Sequence, residues 1–104
     1  MRYSFKNIDD FQQKLIRQDR ALYFDNQLIC ELHSHDVYLV DQIKSIKPST
    51  AFIIYLHTLA HSLMKYDEQK ARDFGEFLLA FANELLRARK QAMKVVERHL
   101  SLLE

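Results

Sequence analysis

The chain has 104 residues, and its 15 Lys and Arg against 14 Asp and Glu leave a formal charge of +1. Neither a nucleic-acid footprint nor an acidic mimic is therefore written in the total, and any charge argument has to be local. Hydrophobic residues make up 48% and charged residues 28%, too apolar for a disordered chain and enough for one core, which predicts a single domain over 1–104.

One Gly and one Pro are too few for the turns of an all-β sandwich or a glycine-rich nucleotide-binding fold. The expected fold is mainly α: a small helical bundle with a long C-terminal helix. The lone Cys30 excludes an intramolecular disulfide and the zinc arrangements that need paired cysteines, and it reads as a small buried hydrophobe. The opening MRYSFKNIDD lacks the apolar stretch of a signal peptide, and charges interrupt every later apolar run, so the expectation is a cytoplasmic protein with no membrane segment.

Asn7 is placed to cap a first helix, with Asp9 and Asp10 in the first turn where the helix dipole favours negative charge. Ile8, Phe11 and Leu15 follow at helical spacing and predict a helix over about 8–18. Phe5 lies one residue ahead of the usual staple position and can still fold back on that first turn.

Residues 21–32 admit two readings. Leu22, Phe24, Leu28, Cys30 and Leu32 fall on one side of a strand pair turned at Asp25-Asn26, residue types that tolerate the left-handed conformation of a tight turn. A helix with Leu22, Leu28, Ile29 and Leu32 as its stripe competes. The hairpin is the preferred reading because Leu-Tyr-Phe and Leu-Ile-Cys are strand-like. Its unpaired edge would be open to another strand.

Ser34 or Asp36 can cap a short helix through Val37, Leu39, Val40, Ile43 and Ile46, which Pro48 stops. Ser49 or Thr50 caps the next, whose stripe is Phe52, Leu56, Leu59, Leu63 and Tyr66. Its opening run from Ala51 to Leu56 is apolar nearly all round and asks for cover on more than one side.

Asp67 is the expected N-cap of the last helix. Along it Phe74, Leu78, Phe81, Leu85, Ala88, Ala92, Val95, His99 and Leu102 alternate steps of four and three, the spacing of a seam that faces a partner helix. Phe77, Ala82, Leu86, Met93, Val96, Leu100 and Leu103 widen that seam toward bundle packing. Gly75 inside it costs ~1 kcal/mol against Ala, as a close helix approach or a hinge would. A straight helix from Glu68 to Glu104 would be roughly 55 Å long, more than a compact domain of ~13 Å radius can cover, so it breaks or a second chain covers the overhang.

No glycine-rich phosphate loop, nucleophile elbow or metalloprotease helix is present in the sequence, and no cofactor is implied. The expected function is a non-catalytic protein–protein interaction module, an adaptor, chaperone-like or regulatory subunit. It would form a homodimer or grip a partner through Phe74, Leu78, Phe81, Leu85, Ala88, Ala92, Val95 and Leu102. A second reading uses the basic face Arg87, Lys90, Lys94 and Arg98 to bind nucleic acid, although no aromatic residue interleaves with these charges. A third uses His57 and His61, four apart on one helix, as metal ligands completed by Glu31, His33, His35 or Asp36. His99 at the seam would need a hydrogen-bond partner, or would make a dimer sensitive to pH.

Overall fold

The computed structural model describes residues 3–103, and the side chains of residue 96 and residues 99–103 lie outside that description. Four helices and a three-stranded antiparallel sheet follow the order α1 (Ile8–Lys14), β1 (Leu15–Gln18), β2 (Ala21–Phe24), β3 (Gln27–Glu31), α2 (Ser34–Ser45), α3 (Thr50–Leu63) and α4 (Gln69–Leu103). The mainly α class and the long final helix are as expected. No helix among the described residues is long and apolar enough to cross a membrane.

The first helix is shorter than its spacing suggests. Asn7 caps it, Oδ1 accepting from the Asp10 amide at 2.8 Å, while Asp10 Oδ2 accepts from the Lys6 amide at 2.8 Å. The first bond satisfies one of the orphan amides of the helix start, and the second ties the residue before the cap to the same turn. Phe5 folds back as anticipated, its ring 5.2 Å from that of Phe11 and 4.5 Å from that of Phe81. The helix stops at Lys14 rather than at residue 18, because Leu15–Gln18 pair with β2 in the register Leu15↔Phe24 to Gln18↔Ala21. Pairing with a neighbouring strand overrides the helical periodicity of four residues.

The sheet accordingly has three strands where one hairpin was expected. Its second turn is the predicted one, with Asp25 and Asn26 both at positive φ (51° and 66°) as a two-residue hairpin turn requires. Asp19 takes positive φ (55°) in the first turn. Within β2–β3 the register slips at Leu22/Tyr23: Leu22 faces Cys30 and Tyr23 faces Leu28, leaving Ile29 as an extra residue. That bulge turns both Ile29 and Cys30 inward and leaves Leu28 51% exposed, where strict alternation had placed Leu28 inside.

The cap of α3 is the expected one, whereas the starts of α2 and α4 differ from expectation in detail. His33 precedes α2 without making a side-chain cap, and Ser49 caps α3 by accepting from the Phe52 amide at 3.3 Å. The final helix begins at Gln69, its first turn closed by the Arg72 amide on the Glu68 carbonyl, so the cap falls one residue after Asp67.

The core is aromatic. Phe11 is fully buried, with Phe81 at 4.9 Å and Phe24 at 5.5 Å between ring centroids, and Phe24 reaches Phe74 at 5.4 Å. Tilted and edge-on rings at such separations add to simple area burial. The helix α3 packs along the N-terminal half of α4 through Phe52, Leu56, Leu59, Ala60 and Leu63, all fully buried. Ile54 in its apolar first turns remains 56% exposed.

Gly75 lies at this crossing. A Cβ there would stand 2.8 Å from the Ala60 carbonyl oxygen and 2.9 Å from Met64 Cγ. Close approach, rather than a hinge, is therefore the reason for the only glycine of the chain. Gly75→Ala should lower stability by about 1–2 kcal/mol, since overpacking against backbone outweighs the ~1 kcal/mol gained in helix propensity. Urea denaturation monitored by far-UV circular dichroism measures it, and a stabilised variant would show that the two helices can separate freely.

Candidate functional site

The seam of α4 divides into two parts. Phe74 and Leu78 are fully buried and Phe81 almost so, all against the chain's own body; Leu85 is half-buried; Ala88, Ala92 and Val95 are exposed. The side chains of Leu102 and His99 lie outside the described residues. The reason is dimensional: 35 residues of helix span about 52 Å, whereas the short axes of the molecule are 26 and 23 Å. The body runs out near Leu85, and the rest of α4 projects, drawing the molecule out to 55 Å and its radius of gyration to 15.7 Å.

Met93 is 60% and Val95 52% exposed on this projection. At its base two apolar grooves flank Leu85 and Ala88, one lined by Ile8, Pro48 and Phe52, the other by Phe5, Phe77 and Phe81.

The basic residues Arg87, Lys90, Lys94 and Arg98 are all exposed on the same projection. Arg87 lies 3.7 Å from Glu84, an exposed pair of little energetic weight. Arg89 is turned back to the body, donating to Thr50 Oγ1 at 2.6 Å.

His57 and His61 face each other along α3 with ring centroids 4.5 Å apart, both exposed. Among the described residues they join no group of three metal donors. The group that does form is His33, His35 and Asp36, whose donor atoms all lie within 4.8 Å of one another.

Asp36, in the first turn of α2, is fully buried. Its Oδ2 accepts from Tyr66 Oη at 2.6 Å and from Ser62 Oγ at 2.8 Å, while Tyr66 Oη itself accepts from the His33 amide at 2.7 Å. The rings of His33 and Tyr66 stack at 4.0 Å and 14°. Burial, and next the hydrogen bond to Asp36, hold the Tyr66 hydroxyl protonated far above the usual phenol range. The Cys30 thiol is pushed up to about 12, first by burial and then by the negative charges of Glu68 and Asp36.

A buried carboxylate was absent from the sequence expectations, which offered Asp36 as a cap or a distant ligand. One signal for it exists: Asp36, Val40 and Ile43 are spaced four and three apart, which puts Asp36 on the buried stripe of α2. No protein family, curated protein or solved structure matches this chain.

Two measurements follow from this geometry. Tyr66→Phe should cost about 1–3 kcal/mol in chemical denaturation, because it leaves the part-buried His33 amide without its acceptor and the buried Asp36 with one donor fewer. Cys30 should resist alkylation by iodoacetamide at pH 8 in the folded protein and react once urea is added, as expected of a thiol kept neutral by burial.

Proposed function

We propose that the protein is a non-catalytic interaction module that self-associates through the projecting half of α4. The observation that carries this reading is that one continuous stripe is buried by the chain's own body as far as Leu85 and then runs on, exposed, through Ala88, Ala92 and Val95. A helix of the same pitch fits such a stripe, since the alternating steps of four and three are those of a helix–helix seam.

A second copy is the occupant the charges favour. Glu84 and Arg98 stand fourteen residues apart, four turns of helix, and so on the same flank of the seam. An antiparallel copy brings each Arg98 toward the partner's Glu84. A parallel copy would place two bodies on the same side of two adjacent helices at the same height, where they collide. The grooves beside Leu85 and Ala88 are then where the end of each projecting helix meets the other body. A partner of this kind fits an adaptor or regulatory subunit.

Light scattering at micromolar concentration should show a dimer. Ala92→Glu, at an exposed position that cannot disturb the core, should weaken association by about tenfold or more, because it buries an unpaired charge in the seam. Glu84→Arg and Arg98→Glu should each weaken the dimer, and the double exchange should restore it. A wild-type monomer at all concentrations would overturn the reading, and a dimer indifferent to the charge exchange would overturn the antiparallel arrangement.

The exposed Arg87, Lys90, Lys94 and Arg98 support a second reading, in which the basic face of the same projection binds nucleic acid. Polarisation with duplex and single-stranded probes at low salt tests it. Affinity falling steeply with salt, with a slope lowered by about one for Lys94→Gln, would support it, and no binding would remove it.

A further inference from the structure

We propose that His33, His35 and Asp36 form a binding site for a divalent transition-metal ion, independent of the interaction surface on α4. The donor set, two imidazoles and one carboxylate, suits zinc and the neighbouring first-row ions and leaves coordination positions open to water.

The strongest observation is on Asp36. The carboxylate is fully buried, its Oδ2 is held by two hydroxyls, and its Oδ1 has no hydrogen-bond partner among the described residues. Buried carboxylate oxygens are nearly always satisfied. His35 Nε2 stands 3.5 Å from Oδ1, too far for a hydrogen bond. Oδ1 is thus an orphaned acceptor beside the His35 imidazole, in a group whose donor atoms, His33 included, lie within 4.8 Å of one another, and a metal ion would satisfy it.

The surrounding residues fix this donor as outer-shell partners do in metal sites. Ser62 and Tyr66 set the plane of the carboxylate from one side. Tyr66 also supports the His33 ring by stacking and accepts from its amide. His35 is 68% exposed and free to swing. Ligands around a tetrahedral ion with bonds near 2.1 Å stand about 3.4 Å apart, so the 4.8 Å span of the three donors has to contract by little more than an ångström. Movement of the exposed His35 imidazole supplies that while Asp36 and the stacked His33 ring stay in place. The positive end of the α2 dipole opposes a cation here, but an effect confined to the first turn is small beside three coordinate bonds.

The site lies beside Tyr66, just ahead of the start of α4, and Leu85 is 16 residues further along that helix, about 24 Å away. Metal uptake and self-association are therefore separable in one protein.

The test is calorimetric titration of Zn2+ into tag-free, chelator-treated full-length protein, with the imidazole nitrogens followed by long-range proton–nitrogen NMR. One equivalent should bind, with the resonances of His33 and His35 shifting and those of His57 and His61 unmoved. His35→Ala, whose exposed ring supports no packing, should lower the affinity at least tenfold while its circular dichroism stays that of the wild type. His33→Ala should do the same, and His57→Ala with His61→Ala should change nothing. Absence of saturable uptake would overturn the proposal. Uptake that survives His35→Ala, or that depends on His57 and His61 instead, would overturn it equally.

Discussion

The crossing of α3 and α4 at Gly75 is the contact on which the remaining arrangement depends. Only a residue without Cβ lets the Ala60 carbonyl come so near the facing helix. With the helices this close, Leu59, Leu63, Phe74 and Leu78 are all fully buried. The end of α3 is thereby fixed, and with it the turn through Met64 to Tyr66, where the Arg72 guanidinium holds the carbonyls of Tyr66 and Asp67. The Tyr66 hydroxyl then falls within reach of Asp36, so a polar network in α2 rests on a glycine in α4.

A second set of ties joins the small sheet and α1 to α2, and it is polar where the first is apolar. Gln12 donates to the carbonyls of Ile43 and Ile46 at the end of α2, and Lys44 returns from α2 to the carbonyls of Gln12 and Leu15. Each helix end thus has orphan carbonyls satisfied by a side chain of the other. Burial lowers the Lys44 pKa, yet its ammonium keeps these acceptors. Arg17 of β1 grips both oxygens of Asp41 with its fork, at 2.7 and 2.9 Å. In a partly exposed setting that pair contributes geometry more than energy. It sets where β1 lies against α2, and the strand pairing that ends α1 at Lys14 agrees with it.

The chain therefore has a well-filled body and one element that outgrows it. The aromatic cluster around Phe11 leaves no apolar surplus inside, while Ile54, Leu86, Met93 and Val95 are exposed on α3 and the projecting part of α4. The exposure of Leu86, Met93 and Val95 on the segment with no body beside it is the physical basis for the proposed association. The buried Asp36 lies toward the other end of α4, where a charge inside the core has to be held by hydroxyls. The two features differ in chemistry and in place, and the proposed association and the proposed metal site rest on them separately.

Much of the fold could be read from local signals. The Asn7 and Ser49 caps, the stop before Pro48, the Asp25-Asn26 turn and the long periodic helix all involve groups a few residues apart, and those interactions are present whatever the rest of the chain does. The length of α4 against the size of a domain also foretold an overhang. What the residues could not show by themselves was where the overhang begins, because Leu85 and Ala88 continue one unbroken pattern and only the extent of the body separates them. The third strand was hidden for a similar reason: Leu15–Gln18 keep helical spacing, and it is the edge of β2 that makes them a strand. The bulge at Ile29 shifts the phase of β3 by one residue, which alternation alone cannot register. Asp36 sits on a core stripe in the sequence, but its burial is tolerable only because Ser62 and Tyr66, some thirty positions away in the chain, bring their hydroxyls to it. Each of these was decided by partners distant in sequence, and such partners exist only once the chain has folded.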